Sequence, residues 1–164
     1  MCKGAICKPV LRIWILSLLG LCLGVQSASA AITYHPIKVP GSVSTSVTGV
    51  NSNNQVVGYY SGNVGGFQGF MFSGGTYTTV NYPSAVNTLL SVINDSGEIL
   101  GYYDDGIVIH GFTLISGQYS SFDYPGANYT YTSGINNAGQ IVGSYFSTPN
   151  TLSGFVKTIN GSFT

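Results

Sequence analysis

The sequence has 164 residues, of which only 6% are charged, and its five Lys and Arg residues balance its five Asp and Glu residues. A neutral chain so poor in cations has no basic patch with which to neutralise phosphates, which argues against nucleic acid as a partner. All three cysteines precede residue 23, so disulfides and thiolate chemistry are excluded from the rest of the chain.

The N-terminal segment has the composition of a secretory signal peptide. Three basic residues precede an uncharged apolar run at 13–25, and a stretch of small residues ends at Ala30. This order is typical of a cleaved export signal, and the apolar run is shorter than the about 20 residues of a membrane span. We therefore expect residues 1–30 to be removed and residues 31–164 to be secreted as one domain, with no membrane segment.

After this signal one phrase occurs three times. The copies are GVNSNNQVVGYY at 49–60, VINDSGEILGYY at 92–103 and GINNAGQIVGSY at 134–145. Their shared asparagines, Asn51, Asn94 and Asn136, recur at intervals of about 42 residues, and self-similarity at such an interval indicates a repeat architecture. The predicted repeats span residues 43–85, 86–127 and 128–164.

Each repeat is predicted to contain four short strands. The first strand ends at the shared asparagine, and the turn after it has Asn54, Gly97 or Gly139 at its fourth position. Gly and Asn enter the left-handed region at low cost, so we expect a positive φ at this position. The second strand contains a glycine, such as Gly101, which suggests a bulge or a closely approaching backbone.

The fold class predicted from these elements is all-β. No segment after residue 30 has a 3.6-residue apolar period, so we expect almost no helix. Tandem four-stranded antiparallel repeats favour a β-propeller-like arrangement, partial or open, with three blades; a threefold β-trefoil or β-prism is the alternative. Residues 32–42 resemble a detached strand of the repeat and can complete the last one. An open array has edge strands that invite a second copy, so a homo-oligomer that closes the array is also expected.

The phrase GINNAGQIVGSY, together with HGF at 110–112 and YSSFDYPGA at 119–127, resembles the bacterial extracellular HAF repeat. The similarity covers essentially all of residues 31–164. It implies a secreted or surface-exposed bacterial protein whose repeats are similar to propeller blades. It implies no catalytic residues and no cofactor.

Few polar side chains are candidates for a binding site. Asp104 and Asp105 could form half of a carboxylate pair or ligate calcium, but the other repeats have no carboxylate in this loop, which favours a solvated Asp-Asp-Gly turn. His110 aligns with Gln68 and Ser153 in the other repeats, and it lacks the three or four convergent ligands of a metal site. We therefore expect neither a metal nor a catalytic group.

The tyrosines divide into two classes. Those that end the second strand recur in all three repeats and are expected in the core. Tyr59 and Tyr102 point to the opposite face, and Tyr129 and Tyr131 follow in the stretch ANYTYTSG. Exposed tyrosine rings beside Asn and Asp can stack on sugar rings and hydrogen-bond to hydroxyls. Cross-strand aromatic pairs that merely cover the sheet are the alternative.

The residues that recur in every repeat are Gly, Asn, Pro and apolar ones, which specify a fold rather than a reaction. We therefore expect a non-enzymatic, secreted binding module whose partner is an extracellular protein or a glycan. A carbohydrate-binding, lectin-like module is the second hypothesis. A secreted hydrolase using Asp104, Asp105 and His110 is the third.

If residues 1–30 are an export signal, the chain secreted from a bacterial host begins at Ala31, and N-terminal sequencing with intact mass will show it. Replacing the small residue before the cut, Ala30→Phe, should block cleavage and leave the precursor. The neighbouring Ser29→Phe is the matched control, because the middle position of an A-x-A site tolerates bulk. A secreted product that retains Met1 would contradict the prediction.

Overall fold

A computed structural model describes residues 33–147, 151–158 and 161–164, and residues 35–164 form one compact unit. The predicted signal peptide, residues 1–30, lies outside the described residues. The described part of the chain contains eleven β-strands and no helix, so the all-β prediction is confirmed. Within the same residues, no helix is long and apolar enough to cross a membrane.

The strands form the three predicted repeats, and within each repeat consecutive strands pair antiparallel. The first repeat contains β1 (Ser44–Val50), β2 (Val56–Ser61), β3 (Phe67–Ser73) and β4 (Thr76–Thr79). The second contains β5 (Asn87–Ile93), β6 (Ile99–Asp104), β7 (Ile109–Ile115) and β8 (Gln118–Phe122). The third contains β9 (Tyr129–Ile135), β10 (Ile141–Ser147) and β11 (Thr151–Lys157), followed by a single bridge between Lys157 and Phe163.

The three repeats pack face to face as an open, propeller-like array. The first repeat is a separate sheet, ordered β1-β2-β3-β4, whereas the second and third share one sheet because Ile109 of β7 pairs in parallel with Tyr129 of β9. β5 contacts β1, β2 and β3, and β9 contacts β5, β6 and β7. Among the described residues, no strand of the first repeat contacts a strand of the third, so the array is not closed as a trefoil or a prism would be.

The first hairpin of each repeat turns at the shared asparagine. In the second repeat, Asn94 Oδ1 accepts a hydrogen bond from the Glu98 N–H at 2.9 Å, and the Gly97 N–H donates to the Asn94 carbonyl at 3.0 Å. The φ of Gly97 is 80°, and the equivalent Asn54 and Gly139 have φ of 57° and 74°. The predicted positive φ is confirmed, and it explains why only Gly and Asn occupy this position.

The same asparagine also joins neighbouring repeats. Asn51 Nδ2 donates to the Asn94 carbonyl at 3.0 Å, and Asn94 Nδ2 donates to the Asn136 carbonyl at 3.1 Å. Asn51 and Asn94 are buried, whereas Asn136 in the last repeat is exposed. Because a buried amide without a partner costs stability, each buried asparagine ties its turn to the next repeat.

The glycine of the second strand is required by close packing from two sides. At Gly101 a Cβ would lie 2.5 Å from the Leu89 carbonyl oxygen and 2.8 Å from the Phe112 ring. The register of β5 against β6 shifts between Leu90 and Val92, which is a bulge in the strand that approaches. The predicted close approach of another backbone therefore occurs at this glycine, and the bulge lies in the facing strand β5 rather than in the strand that contains the glycine.

The core lies between neighbouring repeats rather than within one of them. Val57 of the first repeat packs with Leu90 and Phe112 of the second, and Leu100 of the second packs with Phe155 of the third. Val57 and Leu100 are completely buried, and burial of such a side chain is worth about 1.5–3 kcal/mol. Each of the two layers of the core is therefore built by two adjacent repeats.

The segment at residues 33–42 contains no strand and lies against the first repeat, where the Lys38 N–H donates to the Tyr77 hydroxyl at 3.0 Å. The place of a fourth strand in the third repeat is instead taken by Thr164, which exchanges two backbone hydrogen bonds with Val156 at 2.7 and 2.9 Å. The structure thus places this segment at the start of the array and not, as expected, in its last repeat.

Replacing Asn94 with Ala should lower the free energy of unfolding by about 1–3 kcal/mol, because it removes the buried amide that bonds to the Asn136 carbonyl and opens the turn. Asn136→Ala is the matched control, since it opens the same turn but removes no bond to a following repeat within the described residues. Urea unfolding at low protein concentration, followed by circular dichroism, measures both. Equal losses for the two variants would mean that the inter-repeat bond contributes nothing.

Candidate functional site

A run of partly exposed aromatic side chains crosses the end of the array at which β1, β5 and β9 begin. We call this run the aromatic strip; its members are Tyr59, Phe67, Tyr102, Tyr129, Tyr131 and Phe146. They belong to β2, β3, β6, β9 and β10, so all three repeats contribute. Tyr129 and Phe67 are the most open members, with 40% and 43% of their surfaces exposed.

Edge-to-face contacts hold the rings of the strip. The Tyr102 and Tyr131 ring centroids are 5.3 Å apart with planes at 78°, and the Tyr131 and Phe146 centroids are 6.3 Å apart at 75°. Tyr129 contacts the other side of Phe146 at 6.2 Å and 88°. Aromatic quadrupoles favour this geometry, so the rings are fixed before any ligand arrives.

The strip continues into the first repeat through Tyr59. Its ring meets Phe67 edge to face at 5.4 Å and 83°. Burial raises the pKa of Tyr102, and the neighbouring Tyr59 and Tyr131 phenols raise it further. Among the ring contacts of the strip, Tyr102 meets Tyr131, whereas Tyr59 meets Phe67 within the first repeat.

A chain of polar groups borders the strip. Asn87 Oδ1 accepts from the Phe67 N–H at 2.8 Å, and Asn87 Nδ2 donates to Asp104 Oδ2 at 2.9 Å. Asp104 Oδ1 accepts from the Gly106 N–H at 2.7 Å. Burial raises the pKa of Tyr131 most; the neighbouring Tyr129 phenol and then the Asp104 carboxylate raise it further. An amide and a carboxylate thus stand in fixed orientations beside the rings.

A second cluster, which we call the His110 cluster, lies on the opposite face of the second repeat. It comprises His110, Asp105, Asp123 and Tyr103. His110 Nδ1 lies 3.0 Å from both carboxylate oxygens of Asp123, and His110 Nε2 lies 3.4 Å from Asp105 Oδ2. The imidazole stacks on Tyr103 with centroids 4.8 Å apart. Burial lowers the pKa of His110, but hydrogen bonding and charge from Asp123, and then from Asp105, outweigh it and raise the pKa above 6.5.

The predicted site residues therefore separate into two groups. The structure brings together Tyr59, Tyr102, Tyr129, Tyr131 and Asp104, and it places Asp105 and His110 on the other side of the sheet. Asp105 Oδ1 accepts from two backbone N–H groups of its own turn at 2.8 and 2.9 Å, which is the geometry of an Asx turn. Within residues 33–147, 151–158 and 161–164, no three His, Cys, Asp or Glu side chains are grouped so as to hold a metal ion.

Phe67, Phe146 and Asp123 were not predicted as members of these clusters, although the sequence carries a signal for the two phenylalanines. Phe146 follows the core residue Tyr145, and Phe67 is separated from the core residue Phe70 by three positions, so strand alternation places both on the side of the strip. Asp123 had no signal, because it follows the end of β8 and meets His110 only through the pairing of β7 with β8.

A raised pKa means that the folded chain holds the His110 proton more tightly than the unfolded chain does. The stabilisation is complete below pH 6.5 and is lost as pH rises through the folded pKa. Asp123→Asn should therefore lower the His110 pKa in an NMR titration of the imidazole protons. The control is Asp95→Asn, which puts at Asp95 the residue that the third repeat carries at the equivalent Asn137. An unchanged titration in the Asp123 variant would show that this carboxylate does not hold the proton.

Comparison of the chain with protein-family models finds no match, and comparison with curated proteins also finds none. The aromatic strip and the His110 cluster are therefore the two features of the described residues on which a functional proposal can rest. They differ in kind. The strip is an open surface built by three repeats, and the His110 cluster is a small, partly buried group within one repeat.

Proposed function

We propose that this protein is a non-enzymatic, extracellular binding module and that the aromatic strip is its binding surface. The observation that carries the proposal is that Tyr102 of the second repeat packs against Tyr131 of the third, which in turn packs against Phe146, so that one run of rings crosses from one repeat to the next. The signal-like N-terminus and the resemblance to the bacterial extracellular HAF repeat support export. An extracellular protein or a glycan is the partner.

Rigid aromatic surfaces suit binding because little side-chain freedom is lost when a ligand arrives. Tyr has only two side-chain torsions, and it offers both an apolar ring and a hydroxyl. The edge-to-face contacts of Tyr102 and Phe146 with Tyr131 already restrict these rings. The polar chain through Asn87 and Asp104 supplies acceptors and donors at a fixed distance from them.

The state of the candidate catalytic groups supports a non-enzymatic role. Both ring nitrogens of His110 face carboxylates, so neither is directed at a hydroxyl nucleophile. The nearby Ser121 Oγ is instead paired with the Tyr103 hydroxyl at 3.1 Å. Asp104 and Asp105 accept backbone hydrogen bonds of their own turn, as structural carboxylates do. Reproducible hydrolysis of a substrate, lost when Asp104 or Asp105 is replaced, would contradict this part of the proposal.

Carbohydrate is the ligand class that the composition of the strip favours. Sugar rings have an apolar face that stacks on tyrosine and a hydroxyl edge that hydrogen-bonds to carboxylates and amides. Tyr102 and Tyr131 supply the former, and Asp104 with Asn87 supplies the latter. The strip crosses three repeats, which suits an extended oligosaccharide better than a single sugar.

On a glycan array the purified chain should bind a subset of oligosaccharides, and Tyr102→Ala should weaken that binding about tenfold or more, equivalent to ~1.4 kcal/mol. Titration calorimetry on the strongest hit measures the loss. Tyr102→Phe keeps the ring and should retain most of the affinity if stacking dominates.

Ile115→Ala is the control for this experiment. Ile115 is 41% exposed and lies at the end of β7 remote from the strip, so its loss should leave binding unchanged. Absence of binding across a broad array would contradict a glycan ligand, and full binding by Tyr102→Ala would contradict the strip as the surface used.

A further inference from the structure

The two ends of the open array are the unmatched halves of one interface, and this interface already forms twice inside the chain. The first repeat packs on the second, and the second packs on the third, in the same register. What remains is an outward face on the third repeat and an outward face on the first. We propose that the end face of one chain docks on the start face of a second copy of the same chain.

The end face, on β10 and β11, is an apolar surface that is covered in the two preceding repeats. Val142 aligns with Val57 and Leu100, which are both 0% exposed, yet Val142 is 45% exposed. Val156 is 38% exposed and lies beside it. A shallow groove of about 310 Å³ runs over this face, lined by Gly134, Ile135, Asn136, Gln140, Val142 and Val156.

The start face, on β1, shows the complementary pattern. Val47 aligns with Leu90 and Thr132, which are buried against the preceding repeat, but Val47 is 49% exposed. Val50 aligns with the buried Ile93 and is 63% exposed. In the second repeat, the side chains at these positions are covered by the end face of the repeat before it. The exposed Val47 and Val50 are the side chains that such an end face would cover on the first repeat.

A glycine in the third strand of each repeat identifies what the end face lacks. A Cβ on Gly69 would lie 2.9 Å from Leu90 of the next repeat, and one on Gly111 would lie 3.1 Å from Thr132. The equivalent Gly154 has only the Gly143 oxygen of its own sheet near it, at 3.7 Å. Gly69 and Gly111 also meet closer groups of their own repeats, the Val80 carbonyl oxygen for Gly69 and the Phe122 ring at 2.8 Å for Gly111, whereas among the described residues the space over Gly154 that a following repeat would fill is open.

Hydrogen-bonding groups at the two faces are also complementary. Inside the chain, the shared asparagine donates from Nδ2 to the carbonyl of its counterpart in the next repeat, and Thr48 Oγ1 donates to the Leu90 carbonyl at 2.7 Å. Asn136 Nδ2 uses one N–H on Gln140 Oε1 at 2.9 Å, and in the described part of the chain its other N–H has no acceptor. By analogy with the bonds from Asn51 to Asn94 and from Asn94 to Asn136, the acceptor for this N–H would be the Asn51 carbonyl of a second copy.

A second copy fits this role because the partner must carry the start face itself. Docking of unlike faces is heterologous, and such contacts produce rings when the rotation closes. Two copies supply six repeats, which is within the about four to eight blades of closed propellers. We therefore expect a closed dimer in which each chain contributes one start face and one end face.

The test is light scattering during size exclusion on the purified full chain, in which we expect twice the mass of one chain. Val142→Glu places a charge on the end face and Val47→Glu on the start face; each should raise the dissociation constant about tenfold or more and leave a monomer. Gly154→Leu should do the same without a charge, because bulk at this open position blocks docking, and among the described residues a Cβ there meets only the Gly143 oxygen, at an ordinary contact distance of 3.7 Å. Val64→Glu, at a loop residue that is 88% exposed, is the control and should remain dimeric.

Mixing the two charged variants distinguishes unlike from like faces. Val47→Glu retains an intact end face and Val142→Glu an intact start face, so the mixture should form a one-to-one heterodimer although each variant alone is monomeric. A parent chain that stays monomeric up to about 100 µM would overturn the proposal. A Val47→Glu chain that dimerises by itself would also overturn it, since like faces would then be in contact.

Discussion

The Asn94 side chain holds its own turn with its oxygen and the neighbouring repeat with its nitrogen. This double use means that the turn and the packing of the repeats cannot vary independently. The interval of about 42 residues between the asparagines fixes which strands lie beside one another, and the layers of Val57 and Leu100 follow from that register. A single repeat can bury a face of its sheet only against a neighbouring repeat. The repeats must therefore pack on one another to form a complete core, and most of the architecture follows from this requirement.

Strand alternation separates two classes of tyrosine within one dipeptide. Tyr103 stacks on Tyr82 with centroids 3.7 Å apart and fills the layer between repeats, whereas its neighbour Tyr102 points into the strip. The third repeat lacks a tyrosine at the position of Tyr102, because Ser144 stands there. Tyr131, which β9 supplies from the side, takes part in its place. The strip is therefore a property of the array and not of any single repeat.

The structural features that occur in every repeat could be predicted from the sequence. The positive φ at Gly97, the bulge opposite Gly101 and the division of the tyrosines all follow from local chemistry seen three times. Features that occur once could not be predicted in this way. The pairing of His110 with Asp123 arises from the register of two strands, and the hydrogen bond from the Lys38 N–H to the Tyr77 hydroxyl holds residues that form no strand. Neither has a periodic signal, because each is a tertiary contact made once.

Because of the single parallel pair between Ile109 and Tyr129, the third repeat is attached to the second in a different way from the first repeat. This pair continues the backbone ladder from the second repeat into the third, whereas the first repeat is attached through side-chain packing and side-chain hydrogen bonds such as that of Thr48. In linear arrays, opening spreads from the ends and is governed by coupling between nearest neighbours. Amide exchange should therefore be fastest in the first sheet and slowest in β5 and β6, and a pulling force should detach the first repeat as a unit before the other two separate.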